Sequence, residues 1–462
     1  MSDTRDPPAP PMEETIAAIA TSPGPGGISV LRMSGKTALT IADAVFRGRG
    51  KPSAQPSHTL RHGFVMDGDQ AVDEALLAVM RAPRSYTAED VVEISCHGGL
   101  ISARRTLDAL VRAGARLAHP GEFTRRAFLN GRMDLTQAEA VADLIAAQSE
   151  GAHMAGLAQA QGHLYRKMQQ VYDHLADALA HVEAHLDFPD EDLAPATRRE
   201  IAERVRNATA FVESLLATAR EGRILREGVR TVIVGKPNVG KSSLLNALLG
   251  EERAIVSATP GTTRDTIEEV ASLGGIPLRI VDTAGIREHA DQVEAEGIRR
   301  THAQIARAEL VLLVLDASRR LEPSDREILA LCKERPLIVV LNKADLGMFM
   351  EAAAWRDLTS AAVSLKTGHG VEELKKTIAR HLLQGRTQVN FHEVFINARH
   401  QEALLRSADA LKRAATAFQQ KFSLECIAAD LREAMQALGE ITGRTVTEDV
   451  LDRIFSKFCI GK

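Results

Sequence analysis

The sequence predicts a multidomain α/β protein: an α+β N-terminal domain, an all-helical domain, and a phosphate-loop domain with a doubly wound sheet inserted into the helical one. Three observations carry this. The chain has 462 residues, more than one ordinary core organises. Strands and helices alternate over 229–385, the pattern of a parallel sheet covered on both faces. An Ala- and Leu-rich texture poor in Gly and Pro flanks that stretch, over 135–221 and again after Arg386.

The elements follow in order. Residues 1–12 hold Pro7, Pro8, Pro10 and Pro11, read as a disordered lead, and lack the apolar segment of a signal peptide. From Thr15, short β-like runs alternate with turn residues. Ile16–Ala20, Gly27–Met33, Glu74–Met80 and Val91–Ser95 predict strands, and Ile101–Ala113 predicts a helix. These form an α+β domain over 1–132. The first part of the helical domain, 133–227, predicts helices over 136–150, 153–185 and 196–220, broken at Phe188-Pro189-Asp190. The doubly wound domain takes 228–385. The helical domain closes with 386–462, with helices near 398–419, 424–439 and 447–458. Insertion is feasible because the ends of a compact α/β domain often lie close together.

Composition narrows the function. Aromatics at 4% argue against stacking platforms for single-stranded nucleic acid, and a net charge of -4 argues against avid nonspecific nucleic-acid binding. A local basic patch remains compatible with specific binding. Cys96, Cys332, Cys426 and Cys459 form no Cys-x-x-Cys pair, which argues against zinc and disulfide frameworks and suits a reducing compartment. The longest apolar runs, such as Leu310 to Leu315, are too short to cross a bilayer, so a cytosolic protein with no membrane partner is expected.

One site is explicit. The apolar strand Thr231–Val234 runs into Gly235-Lys236-Pro237-Asn238-Val239-Gly240-Lys241-Ser242 and the helix Ser243–Leu249. This is G-x-x-x-x-G-K-S in its strand–loop–helix setting. Its backbone N–H groups converge on a β-phosphate, and the helix N-terminus adds partial positive charge. Lys241 reaches the β- and γ-oxygens, and the Ser242 hydroxyl binds Mg²⁺. Further segments follow in the required order. Gly261-Thr262-Thr263-Arg264-Asp265 supplies Thr263 as second Mg²⁺ ligand. The strand Leu278–Val281 ends in Asp282-Thr283-Ala284-Gly285, where the acid holds the metal shell and the Gly285 N–H senses the γ-phosphate. The strand Leu337–Leu341 leads to Asn342-Lys343-Ala344-Asp345. Asp345 can accept from N1–H and the exocyclic amine of guanine, which adenine does not match, so the expected substrate is GTP. Ser364-Leu365-Lys366 closes over the base. The residue after Gly285 is Ile286, where Ras-like enzymes carry a water-orienting glutamine; water positioning must come from elsewhere, or hydrolysis is feeble.

Segments outside this core carry a resemblance. They are Thr15-Ile16-Ala17-Ala18-Ile19-Ala20-Thr21, Gly26-Gly27-Ile28, Leu31-Arg32-Met33-Ser34-Gly35, Cys96-His97-Gly98-Gly99 and Pro120-Gly121-Glu122-Phe123-Thr124. To these add Arg126-Ala127-Phe128-Leu129-Asn130-Gly131, Asp134-Leu135-Thr136-Gln137-Ala138-Glu139-Ala140 and the ending Ile454-Phe455-Ser456-Lys457-Phe458-Cys459-Ile460-Gly461-Lys462. Over nearly its whole length the chain resembles the MnmE (TrmE) family of tRNA-modification GTPases.

The resemblance implies a cytosolic homodimer joined through the N-terminal domains, with GTPase domains that meet when GTP and K⁺ are bound. It implies the flavoprotein MnmG as partner in a heterotetramer-type complex. Together they add an aminomethyl or carboxymethylaminomethyl group to C5 of the wobble uridine of certain tRNAs, with a one-carbon unit from a folate such as 5-formyl-tetrahydrofolate. Nucleotide contacts extend to Val239, Ser243 and the loop Ser257-Ala258-Thr259-Pro260-Gly261-Thr262. K⁺ falls to Asn238 with Ser257, Thr259 and Thr262, and takes the part of an arginine finger. Glu294 supplies the missing water-positioning group, so Glu294, Lys241 and Asn238 are the catalytic set. The folate positions are Arg32, Glu93, Arg132 and Lys462, the arginines for the ligand's carboxylates and Glu93 for the pterin's donors. Arg132 departs from the family's usual lysine, and Leu365 from its commoner alanine. Cys459 reads as a small buried hydrophobe rather than a nucleophile. Two other classes stay open: a regulatory GTP-binding module of the ribosome-assembly kind, and a folate carrier with a structural GTPase domain.

Overall fold

The computed structural model describes residues 14–187, 195–250, 269–281, 302–349, 355–383, 394–420 and 422–462. The chain forms two compact units, one from Met1–Ala142 with Gln436–Lys462, the other from Asp143–Met435.

The first unit is built on a seven-stranded sheet in the order β3-β4-β5-β6-β2-β1-β7. The strands are β1 (Ile16–Ile19), β2 (Ile28–Ser34), β3 (Phe46–Gly48), β4 (Thr59–Asp67), β5 (Gln70–Met80), β6 (Val91–His97) and β7 (Arg116–Leu117). Side chains alternate across a strand, so Leu31 and Met33 of β2 and Ile94 of β6 point to one face. There the helices Ala38–Val45 and Leu100–Arg112 cover them through Ile41, Val45, Ala109 and Leu110. Full burial of a side chain such as Leu31 contributes about 1.5–3 kcal/mol. The same alternation puts Arg32 and Glu93 on the opposite face, and antiparallel register makes them direct cross-strand partners.

The C-terminal residues pack within this unit. Leu451, Phe455 and Phe458 share a core with Ala127, Met133 and Leu135. Arg125, on the helix Glu122–Leu129, pairs with Glu448 and, at 2.9 Å, with Asp452 of the helix Glu448–Phe455. Gly461 adopts φ +97, and a Cβ there would lie 2.5 Å from the Ile19 carbonyl oxygen. Glycine is required for the terminus to run beside the end of β1.

The second unit contains a six-stranded sheet, ordered β13-β12-β11-β8-β10-β9. Its strands are β8 (Val229–Val234), β9 (Glu269–Leu273), β10 (Ile276–Ile280), β11 (Leu310–Asp316), β12 (Leu337–Asn342) and β13 (Thr359–Ala362). All pairings are parallel except β9 with β10. The run Leu310–Leu315 is buried on both faces, as a central parallel strand demands. Leu312 and Val314 pack with the helices Lys241–Leu249 and Val371–Leu382, while Val311, Leu313 and Leu315 pack with Leu329, Cys332 and Trp355.

Helices make up most of the remaining chain. Where the sequence predicts one helix over 153–185, there are two, Glu150–Ala160 and His163–Asp187. Gly162 separates them at φ +78, a conformation other residues adopt at a cost. The span 196–220 likewise becomes Pro195–Leu216 and Ala219–Glu227. The helix Ala398–Gln419 matches its expected range, and Leu424–Thr442 and Glu448–Phe455 lie near theirs.

Candidate functional site

The described nucleotide-site residues gather where β8, β11 and β12 end, the edge at which parallel α/β sheets bind ligands. Gly235 leaves β8 at φ +147, and a Cβ there would meet the Val314 carbonyl at 2.4 Å. Gly240 stands at φ +108 before the helix Lys241–Leu249, and a Cβ on it would lie 2.2 Å from the Asn342 amide nitrogen. Between them Asn238 holds a left-handed φ of +61 with its side chain exposed. The loop therefore turns its backbone through angles that the motif's glycines permit.

Lys241 crosses this loop. Its ammonium donates to the carbonyls of Gly235 at 2.9 Å and Lys236 at 2.8 Å. Burial pushes its pKa below the ordinary lysine value. Lys236 anchors the rim by pairing with Glu322 at 2.6 Å and Asp325 at 2.9 Å. Ser242 and Ser243 occupy the exposed first turn of the helix, and Val239 is buried beneath the loop. The Ser242 hydroxyl and the Asn238 amide oxygen are oxygen donors of the kind that hard cations select.

Asn342 ties the site together. Its amide nitrogen donates to the Val239 carbonyl at 2.8 Å, and its oxygen accepts from the Leu365 N–H at 3.1 Å. One buried side chain thus locks the phosphate loop to the loop Ser364-Leu365-Lys366. Ser364 is buried and accepts from the Thr367 N–H, whereas Lys366 is exposed. Lys343 takes φ +64 and pairs with Asp316 at 2.6 Å. That contact holds the Asp316 carboxyl below its usual pKa against the opposing effect of burial, helped by two bonds from Ser318. Asp345 follows on a short 3-10 turn, Ala344–Leu346, with its carboxylate exposed. Asp316, Glu322 and Asp325 escaped the sequence reading; only the position of Asp316 at a strand end hinted at a role. Ser257, Ala258, Thr259, Pro260, Gly261, Thr262, Thr263, Asp282, Thr283, Ala284, Gly285 and Glu294 lie outside the described residues.

A second site lies within the first unit. Arg32 Nε donates to Glu93 Oε1 at 2.7 Å, so Glu93 is engaged by an arginine. The Arg32 guanidinium lies 5.1 Å from the Tyr86 ring centre and 5.8 Å from that of Phe123, and Arg132 lies 5.2 Å from Tyr86. Lys462 completes the group: burial and then the Arg32 charge lower its pKa, with Glu93 and Cys459 opposing. Arg32 Nη1 is buried without a hydrogen-bond partner. An unpaired buried donor costs about 1–3 kcal/mol, and an anionic acceptor would satisfy it. Arg32 and Lys462 beside the Glu93 carboxylate, with Arg132 sharing the Tyr86 ring, fit a ligand that carries carboxylates and a flat ring system. All four expected positions meet here, whereas neither Tyr86 nor Phe123 had been singled out. Cys459 is exposed, not the buried hydrophobe expected, because the chain there has left the Glu448–Phe455 helix.

Among the described residues no helix is long and apolar enough to cross a membrane. A family description of the MnmE helical domain matches residues 135–459, and one of the GTP-binding protein TrmE N-terminus matches residues 15–132. The chain is 49% identical over 458 residues to a tRNA modification GTPase MnmE of Symbiobacterium thermophilum, covering 97% of this chain and 100% of that one. Proteins of the same name from Geobacter sulfurreducens and Moorella thermoacetica are 49% and 48% identical, each matched over its full length and over 98% of this chain.

Proposed function

The chain belongs to the MnmE family of tRNA modification GTPases, and from that premise we propose that it hydrolyses GTP to drive a tRNA modification. The observation that carries this reading is the convergence of the Gly235–Ser242 loop, Asn342 and the exposed Asp345 at one sheet edge. Asp345 accepts the two guanine donors, and the fixed Leu365 N–H closes the base slot. The loop amides and the helix N-terminus receive the β-phosphate. Lys241 exchanges the Gly235 and Lys236 carbonyls for β- and γ-oxygens; because it is already buried, little new desolvation accompanies that exchange. Ser242 and Thr263 would hold Mg²⁺, and Asn238, Ser257, Thr259 and Thr262 would hold K⁺; bound there, the cations would supply positive charge against that developing between the β- and γ-phosphates. Asp282 and Gly285 report the γ-phosphate, and Glu294 orients the attacking water.

The finer reading follows the family. Residues 1–132 form a folate-binding and dimerisation domain, 228–385 the GTPase domain, and 133–227 with 386–462 the helical domain. Arg32, Arg132 and Lys462 bind the carboxylates of 5-formyl-tetrahydrofolate or a related folate, and Glu93 orients the pterin. The protein acts as a cytosolic homodimer with MnmG and modifies C5 of the wobble uridine of certain tRNAs. The orphaned Arg32 Nη1 supports the folate assignment.

Mass spectrometry of wobble nucleosides tests this. A strain deprived of the protein should lose the C5 aminomethyl-type uridine and regain it with the wild-type gene. An unchanged nucleoside profile would remove tRNA from the account.

A further inference from the structure

We propose that Tyr86 is a positioning residue of the Arg32 and Arg132 site, a single aromatic platform that orients both guanidinium groups toward an anionic ligand. The inference rests on the folate reading of that site. Arg32 comes from β2, and Arg132 follows the helix Glu122–Leu129. The Tyr86 ring is what the two share, at 5.1 and 5.2 Å. The ring itself is held: its hydroxyl bonds to Thr124 Oγ1 at 2.9 Å, and it packs against both the Ile16–Phe123 and the Leu451–Phe455 clusters.

The electrostatics need such a platform. Arg32 has Glu93 as counter-charge, but the Arg132 guanidinium makes no ion pair among the described residues. An aromatic face attracts a guanidinium by about 0.5–2 kcal/mol and leaves its in-plane N–H donors free to point elsewhere. Both arginines therefore keep donors for a carboxylate while their positions are fixed.

Calorimetric titration of the full chain with 5-formyl-tetrahydrofolate tests the proposal. Tyr86→Phe keeps the face and should bind within about 2-fold of wild type. Tyr86→Leu should bind about 10-fold more weakly, the loss of two cation–ring contacts. Arg132→Lys should weaken binding about 3- to 5-fold with Tyr86 present, yet by less than about 2-fold in a Tyr86→Leu background. A purely structural tyrosine would lower thermal stability in Tyr86→Leu and leave the Arg132→Lys effect the same in both backgrounds; that additivity would overturn the role of Tyr86. Should Tyr86→Leu fail to fold, a Tyr86→Phe loss beyond 10-fold, or wild-type affinity in Arg132→Lys, overturns it equally. No binding by the wild-type chain would sink the folate reading and this proposal together.

Discussion

At the residue scale, the proposed function gives Asp345 the base choice through two hydrogen bonds to a charged acceptor, each worth about 1.5–3 kcal/mol. Asp345→Asn replaces an acceptor with a donor amide. GDP affinity should fall about 100-fold while xanthosine diphosphate, with a carbonyl in place of the exocyclic amine, gains; fluorescence titration with both nucleotides checks the crossover. Glu294 has a different signature. Glu294→Ala should cut GTP turnover about 100-fold with GTP affinity nearly intact, the usual scale of a water-positioning group. Single-turnover hydrolysis at wild-type rate would remove Glu294 from the mechanism. Asp345 was read from its motif, and its carboxylate is exposed beyond the end of β12; Glu294 was read only through the resemblance and lies outside the described residues. Lys236, Asp316 and Tyr86 were not legible in the sequence, because each acts through a partner distant in the chain: Glu322, Lys343 and the two arginines.

At the element scale, alternation and punctuation decided what could be read. The uniformly apolar β11 and β12 declare themselves as buried parallel strands. β4 does not: Arg61, His62 and Gly63 interrupt its pattern, and its outer face leaves Leu60 and Phe64 exposed. The helix Glu122–Leu129 hid behind Pro120-Gly121 and its own buried charges, Glu122 and Arg126, which pair at 3.0 Å. The phosphate loop depends on glycine at 240 for both angle and space. Gly240→Ala should add about 1–3 kcal/mol of backbone strain and force Asn342 away. Nucleotide affinity should drop at least about 10-fold, measured by equilibrium titration. Ser149 caps the helix Glu150–Ala160 by accepting from Ala152 N–H at 3.1 Å and also donates to the Gly275 carbonyl at 2.7 Å. Ser149→Ala should therefore cost about 1 kcal/mol, read as a fall of roughly 2–4 °C in melting temperature by calorimetry.

At the scale of the whole molecule, the doubly wound core and the helical texture could be laid out from periodicity alone. The packing of residues 436–462 within the first unit could not, since it rests on contacts such as Arg125 with Asp452 between segments far apart in sequence. The proposed K⁺ assignment belongs at this scale, because in that proposal the cation couples hydrolysis to the meeting of two GTPase domains. Exchanging K⁺ for Na⁺ at equal ionic strength should slow GTP turnover at least about 10-fold, and an indifferent rate would remove the cation from Asn238. The most direct test of the central claim is a competition between nucleotides for the intact chain. With Mg²⁺ and K⁺ present, GTP should bind and be hydrolysed while a thousandfold excess of ATP neither competes nor turns over, a selectivity set by the unmatched donors of guanine. Equal affinity for ATP, or no affinity for either, would contradict it.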